Sequence, residues 1–256
     1  MRLTILGASG SFCGPDSPAS SYLVQAEDAT GRTWSIVFDL GSGALGALLR
    51  HMDPWDLDAV VLTHLHPDHC IDCLGLYVRR AYDPQGPQAA GRLPLYGPAG
   101  TQERLGLAYE GMAGGALAEH FDFRTVDDRS TWSIGPVTVH ARRVEHPVEA
   151  YGYRIEADGA VLAYTGDTDV CPPLLELCRD ADLMLTDSAF VEGRDTNRGV
   201  HLSGRRAAQI ALDAGARRLM LTHLPAWNDP EVCRAQAAQV WPGEVELAAP
   251  STTYVI

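Results

Sequence analysis

Thr63-His64-Leu65-His66-Pro67-Asp68-His69 follows directly on the apolar run Val60-Val61-Leu62, and the reading of this join decides the fold. Asp58 to Leu62 reads as a strand. The polar segment beyond it sets three imidazoles and a carboxylate within six residues. Side chains of an extended chain repeat every two residues, so His64 and His66 share a face. Asp68 and His69 come from the turn into the next helix, predicted to run to about Ala81. Imidazole and carboxylate are ligands for zinc and similar divalent ions. Four donors this close can serve one ion, and their placement suits two adjacent ions better. A solvated turn gains nothing structural from so many histidines. The pattern H-x-H-x-D-H is therefore read as a metal motif whose remaining ligands should lie at other strand ends.

The composition is that of an ordinary globular protein, with 46% hydrophobic and 21% charged residues among 256. This length allows one large domain or two small ones. No apolar run approaches the roughly 20 residues of a membrane-spanning helix. Met1 to Gly7 reads as a first strand, too short in its apolar stretch for a secretory signal. Cys13, Cys70, Cys73, Cys171, Cys178 and Cys233 are scattered rather than framed as disulfide pairs, which predicts a reducing cytoplasm. The net charge is −13, and the arginines come in pairs rather than in one block. The basic face of a nucleic-acid binder is missing, so a large polyanionic substrate is not expected. A small anionic substrate stays compatible, because bound cations supply positive charge locally.

Outward from the motif, strands are predicted at Leu3 to Leu6, Tyr22 to Ala26 and Trp34 to Leu40, with a short helix over Ala44 to His51. The loop Gly7-Ala8-Ser9-Gly10-Ser11 either presents N–H groups to a phosphate or is a plain surface turn. Asp39 is read as a carboxylate that orients a ligand histidine, with a turn residue as the alternative. Cys70 and Cys73 lack a second pair and are read as buried helix residues. Asp83 to Gly91 is a loop too short for an inserted domain. Leu93 to Tyr96 is a strand, Ala99 to about Gly111 a helix, and Met112 to Ala116 a glycine-rich break. Strands follow at His120 to Val126, Val137 to Val144, Tyr151 to Ala157 and Ala160 to Tyr164, the last two joined by the hairpin signal Asp158-Gly159. The final third alternates: strand Asp182 to Thr186, polar loop Arg194 to Val200, a helix opened by His201-Leu202-Ser203-Gly204, strand Arg217 to Leu221, helix Pro230 to Val240 and strand Val245 to Ala248. Val60-Val61-Leu62-Thr63-His64-Leu65 is echoed by Leu219-Met220-Leu221-Thr222-His223-Leu224, as a duplicated half would produce.

The polar residues at these strand exits are His64, His66, Asp68, His69, His146, Asp167, Asp187 and His223. Sites of α/β proteins lie beyond the carboxyl ends of strands, so these residues can converge. Singly, each has a dull explanation, an isolated strand-end Asp being usually a turn or helix cap. Together they make a complete set for two metals. His51, His120 and His140 are left as ordinary.

The order H-x-H-x-D-H, then Glu145-His146-Pro147, then Thr165-Gly166-Asp167-Thr168, then Leu221-Thr222-His223, resembles the binuclear metallo-β-lactamase-fold hydrolases over nearly the whole chain. The resemblance implies a single domain over 1–256, an α/β fold built as a four-layer αββα sandwich of two mixed sheets flanked by helices. It implies two divalent metal ions, zinc first, with manganese or iron also accepted by such donors. One ion falls to His64, His66 and His146, the other to Asp68, His69 and His223, with Asp167 bridging. The β-lactamases proper typically carry a cysteine where this chain has Asp167. The bridging-Asp pattern is shared by ribonuclease Z, glyoxalase II, lactonases and phosphodiesterases. Ribonuclease Z adds a Glu–His pair matched here by Asp187 and His201, and His201 looks like the proton donor of that branch. A helix N-terminal residue without chemistry is the alternative for His201. The chain lacks the glycine-rich basic arm with which ribonuclease Z holds tRNA. Its opening, Gly7 to Ser11 and Gly14-Pro15-Asp16-Ser17-Pro18-Ala19-Ser20, together with Asp68-His69-Cys70 and the Asp187/His201 region, looks most like actinobacterial atypical cyclic-nucleotide phosphodiesterases.

The expected activity is hydrolysis of a small phosphodiester, with 3′,5′-cyclic nucleotides as the first choice, by a metal-bridging hydroxide that Asp68 helps to orient. His201, tuned by Asp187, would protonate the leaving alkoxide. Rival readings are a thioester or lactone hydrolase of the same fold, in which His201 is idle, a ribonuclease Z-like RNA-processing nuclease, and a nucleotide-sensing module with a blocked site. The resemblance leaves a homodimer open, dimers being common in the superfamily.

Overall fold

Strands that are apolar without alternation must be covered on both faces, and three runs here have that character: Val60-Val61-Leu62, Leu183-Met184-Leu185 and Leu219-Met220-Leu221. A computed structural model describes residues 1–87, 91–111 and 115–256. Its strands are β1 (Arg2–Gly7), β2 (Ser21–Glu27), β3 (Thr33–Phe38), β4 (Ala59–Val61), β5 (Leu93–Gly97), β6 (Phe121–Thr125), β7 (Thr131–Ile134), β8 (Val137–Arg143), β9 (Tyr151–Ala157), β10 (Ala160–Tyr164), β11 (Leu183–Asp187), β12 (Leu219–Thr222), β13 (Val245–Leu247) and β14 (Thr253–Val255). The helices are α1 (Ala44–Leu48), α2 (Pro67–Cys70), α3 (Cys73–Tyr82), α4 (Thr101–Glu110), α5 (Pro173–Leu177), α6 (Gly204–Asp213) and α7 (Pro230–Ala237).

Two seven-stranded sheets result, in the orders β14-β1-β2-β3-β4-β5-β6 and β13-β12-β11-β10-β9-β8-β7. Both are mixed: β1, β2 and β3 pair antiparallel, whereas β3 to β6 run parallel. The second sheet repeats the scheme, antiparallel from β8 to β10 and parallel from β10 to β13. Alternate residues of each strand serve different layers. Ile36, Phe38 and Val61 face the second sheet and meet Val139, Tyr153, Ile155 and Leu185 in the core between the sheets. Val37, Val60 and Leu62 face outward onto the layer that holds Ala47, Cys73, Leu76 and Leu105. On the far side Met184, Leu219 and Leu221 pack with Leu174, Ala207, Ile210 and Cys233. This is the expected αββα sandwich.

The local expectations fare unevenly. The hairpin at Asp158-Gly159 forms with both residues at positive φ, 56° and 74°. The helix predicted after His69 is split into α2 and α3, because the N–H of Asp72 goes to Leu40 O (3.1 Å) instead of continuing the helix. The helix expected to open at His201 starts at Gly204 with Ser203 as its cap, whose hydroxyl accepts from Arg206 N. Strands β7 and β14 and helix α5 were not anticipated. Residues 88–90 of the expected 83–91 loop and 112–114 of the expected glycine-rich break lie outside the described residues.

Candidate metal centre

The sheets meet at one end, and the strand exits there bring the charged residues together. His64, His66, Asp68 and His69 follow β4, His146 follows β8, Asp167 follows β10 and His223 follows β12. Donor atoms of His64, His66, His146 and Asp167 lie within 4.8 Å of one another, as do those of Asp68, His69, Asp167 and His223. Asp167 is common to both groups. A third group, Asp187, His201 and His223, adjoins the second. All the residues singled out from the sequence therefore converge.

The aim of each imidazole is fixed from behind. His69 Nδ1 lies 2.8 Å from Asp39 Oδ2, His146 Nδ1 2.9 Å from Val200 O and His223 Nδ1 2.9 Å from Ser20 Oγ. Thr63 gives its hydroxyl proton to Asp39, which can only accept, and so accepts in turn from His64 Nδ1 (3.0 Å). Four Nε2 atoms are left facing inward. Those of His64, His69 and His223 stand 3.6, 3.2 and 3.3 Å from Asp167 carboxylate oxygens. His66 is turned the other way and presents Nδ1, 3.0 Å from His64 Nε2 and 3.3 Å from His146 Nε2. Asp39 thus takes the orienting role expected of it and is itself held by Thr63 N (2.7 Å) and Tyr164 Oη (2.6 Å).

The backbone is bent to make these approaches. Asp39 and His223 sit in the left-handed region, at φ 56° and 55°, where residues other than glycine are uncommon and which clusters at functional sites. Gly166, beside Asp167, has φ 59°, and a β-carbon there would lie 2.8 Å from Tyr151 O. Only glycine lets the chain pass at that point.

Burial and neighbouring charges pull the imidazoles in different directions. Burial holds His64 well below the usual imidazole range, with His69 adding to the effect. Burial also lowers His66, His146 and His223, leaving the neutral, ligating form. His69 is different. Burial would lower it, but Asp167 and Asp39 on either side hold it well above the usual range. Burial would raise the Asp167 carboxyl, yet His223 and His69 hold it well below the ordinary carboxylate range. At the centre, His69 Nε2 and Asp167 Oδ1 have no hydrogen-bond partner among the described residues. They are 3.2 Å apart but not aligned to bond each other. Buried polar atoms are nearly always paired. Two left open in the midst of other inward donors fit a site for divalent cations.

Asp187 and His201 form a tighter pair beside this set, with Nδ1 2.8 Å from Oδ2. Thr168 N and Ala189 N, at 3.1 and 3.0 Å, fix the carboxylate. The His201 ring stacks on His223 at 5.3 Å and lies 5.4 Å from the ring of His146. Burial would lower its pKa, but Asp187 outweighs burial and raises it to about 9. The Asp187 carboxylate thus favours the protonated form of His201, whose ring lies against both donor groups.

Several contributors were missed from sequence. Ser20, Thr63, Tyr164 and the Val200 carbonyl orient ligands, and no pattern marks such residues. Asp169 is buried and binds Arg198 Nε (2.6 Å), Gly199 N (2.8 Å) and Arg206 Nη1 (2.7 Å), pinning the segment that carries Val200 and His201. Its position two residues after Asp167 was the available signal. Of the two readings of the Gly7–Ser11 loop, the backbone bonds favour the plain turn over a phosphate cradle. Ala8 N and Ser9 N are already bonded, to Ser17 Oγ and Pro18 O. Cys70 and Cys73 are buried and unpaired, as read. No helix of the described residues is long and apolar enough to cross a membrane.

Comparison with known proteins agrees with this geometry. The profile of the β-lactamase superfamily domain matches residues 35–224. An uncharacterized protein of Mycobacterium tuberculosis is 40% identical over 259 residues, covering 100% of this chain and 92% of the relative. A probable metallo-hydrolase of Bacillus subtilis is 30% identical over 249 residues, 97% of each chain. The crystal structure of a metallo-β-lactamase fold protein from Bacillus subtilis superposes with TM-score 0.86 at 28% identity over 99% of both chains. The ribonuclease Z of Myxococcus xanthus is 26% identical over 303 aligned positions, 97% of this chain and 95% of the relative.

Proposed function

The chain belongs to the metallo-β-lactamase superfamily, in its ribonuclease Z-like branch, and is a metal-dependent hydrolase; from that premise we propose that it cleaves a small phosphodiester, 3′,5′-cyclic nucleotides being the best-matched substrates. The observation that carries this reading is the His201–Asp187 pair, 2.8 Å apart and stacked on His223. An alkoxide expelled from phosphorus is a poor leaving group and needs a proton, whereas a thiolate does not. A protonated imidazole locked to a buried carboxylate beside the donor set supplies that need.

The groups His64/His66/His146 and Asp68/His69/His223, sharing Asp167, would hold two divalent ions, zinc being our first choice. When bound, such ions supply Lewis acidity toward phosphoryl oxygens and make water acidic enough to act as nucleophile at neutral pH. Asp68 would accept a hydrogen bond from the attacking water or hydroxide and thereby help to orient it. His201 delivers the proton of Nε2 to the departing oxygen, while Asp187 keeps Nδ1 protonated and the ring in place. A net charge of −13 disfavours a long polyanion and favours a substrate with a single phosphodiester. We also take residues 1–256 to act as one domain, supported by β14 at the end of the chain pairing with β1 at its start. The unpaired cysteines support a reducing compartment, the cytoplasm.

The test is turnover of bis-p-nitrophenyl phosphate, 3′,5′-cyclic AMP and p-nitrophenyl acetate by metal-reconstituted protein. Cleavage of the diester and of cyclic AMP is expected, and both should vanish in His66→Ala. Cleavage of the carboxylic ester alone would overturn the phosphate reading and redirect the search to thioesters and lactones.

A further inference from the structure

Two large aromatic rings stand in solvent on loops that adjoin the cluster in the chain, Trp227 shortly after His223 and Phe12 shortly after Gly10. Phe12 is 45% and Trp227 61% exposed, and their ring centroids lie 5.3 Å apart at an interplanar angle of 42°. An exposed aromatic pair is informative because such rings normally supply buried area to a core or a ligand. Both are carried by loops that are tied to residues of the candidate site. Trp227 comes four residues after His223. The next residue, Asn228, is buried; its Nδ2 donates to Ala189 O (2.8 Å) and its Oδ1 accepts from Arg194 Nη1 (2.9 Å). Ala189 is two residues past Asp187, so the Trp227 loop is fastened at both ends to strand exits of the site. Phe12 is carried by the opposing loop. Its N–H binds Gly10 O (2.8 Å), and Gly10 lies so close to His223 that a β-carbon there would be 2.8 Å from the imidazole Cδ2. A backbone bond from Leu224 N to Ala8 O (3.0 Å) joins the two loops.

We propose that Phe12 and Trp227 form a stacking wall for the heteroaromatic base of a nucleoside phosphodiester whose phosphate is held at the His/Asp cluster. This rests on the phosphodiesterase reading and extends it to the other half of the substrate. An acidic chain has little basic surface with which to grip a nucleotide. Affinity beyond the phosphate must then come from apolar contact, and a flat base presents the one large apolar face of such a substrate. Base–aromatic stacking is tolerant of base identity, so the wall favours nucleotides over base-free esters without choosing strongly among bases.

The discriminating pair of probes is adenosine 5′-monophosphate and ribose 5-phosphate, which differ only in the base, titrated into metal-loaded protein by calorimetry. Wild type should bind the nucleotide about tenfold or more tightly than the sugar phosphate. Trp227→Leu should erase that preference while leaving ribose 5-phosphate unchanged, and Trp227→Phe should restore most of it. The idea is overturned by equal affinities in wild type, by a preference that survives in Trp227→Leu and Phe12→Leu, or by loss of both ligands together. A change of oligomeric state in Trp227→Leu with nucleotide affinity intact would also overturn it, assigning the rings to a protein contact. Turnover of bis-p-nitrophenyl phosphate by the same wild-type preparation separates the two levels. With turnover but no base preference the wall alone fails, and without turnover both readings fail.

Discussion

Asp39 shows how much a single buried residue can govern without touching substrate. Its carboxylate holds His69 Nδ1, Thr63 N, Thr63 Oγ1 and Tyr164 Oη, and through Thr63 it also sets His64. Removing the charge while keeping the shape should loosen the aim of two imidazoles at once. Asp39→Asn is expected to weaken metal affinity by about 10- to 100-fold, the usual cost of losing a partner behind a ligand, read by competition with a chromogenic chelator. Unchanged affinity would mean that the strand ends alone fix the rings. His201 calls for a different experiment, because its role depends on the leaving group. His201→Ala should lower kcat for cyclic AMP by about 10²- to 10⁴-fold. It should lower kcat for bis-p-nitrophenyl phosphate far less, since p-nitrophenolate departs without a proton. An equal loss on both substrates would make His201 a structural or binding residue. That His64, His66, Asp68 and His69 belong together was legible in the sequence because a turn gains nothing structural from three imidazoles, whereas His146, Asp167 and His223, each dull alone, were singled out only by their shared place at strand exits. Ser20, Thr63 and Tyr164 were not, because a hydroxyl behind a ligand has the same sequence appearance as any polar residue.

The strands explain which parts of the fold could be read in advance. Strands β4, β11 and β12, covered on both faces, are continuous apolar runs ended by Thr and a charged or imidazole residue: Val-Val-Leu-Thr-His at 60–64, Leu-Met-Leu-Thr-Asp at 183–187 and Leu-Met-Leu-Thr-His at 219–223. The sequence echo links the first and third. Sheet order instead makes β4 the equivalent of β11, each being the first strand to run parallel after an antiparallel set. In that register Val61 corresponds to Leu185 and Asp39 to Thr165, since Asp39 N bonds Val61 O (2.9 Å) as Thr165 N bonds Leu185 O (3.1 Å). Similarity over six residues can follow shared burial as readily as shared descent. Strands β7 and β14 escaped notice because they are edge strands of three or four residues with exposed positions, and α5 because a single turn begun by prolines has no period to detect. The two sheets are also tied directly. Tyr153 Oη on β9 donates to Leu62 O (2.7 Å) just past β4, and Tyr151 N donates to Thr63 O (3.0 Å). Tyr153→Phe strands a buried carbonyl, which costs about 1–3 kcal/mol. Thermal denaturation should show a midpoint lowered by about 2–4 °C per kcal/mol for a chain of this size. No shift would mean that water or a relaxed backbone satisfies Leu62.

At the level of the whole molecule, the donor set draws on both sheets: His64, His66, Asp68 and His69 from the exit of β4, and His146, Asp167 and His223 from the exits of β8, β10 and β12. Cations bound there would join the sheets at that end, in addition to the hydrophobic layer between them. Binding confined to the folded state stabilises by mass action, about 2.7 kcal/mol at a free metal concentration of 100 times Kd. Metal should therefore raise the thermal midpoint by about 5–10 °C, and a chelator should reverse the rise. His66 provides the control, since its ring is half-buried and belongs to the donor set rather than to the core. His66→Ala should leave the midpoint of the metal-free protein close to wild type while shrinking the rise produced by metal. A variant that lost stability equally with and without metal would point to a packing role for His66, and an undiminished rise would place the cations elsewhere.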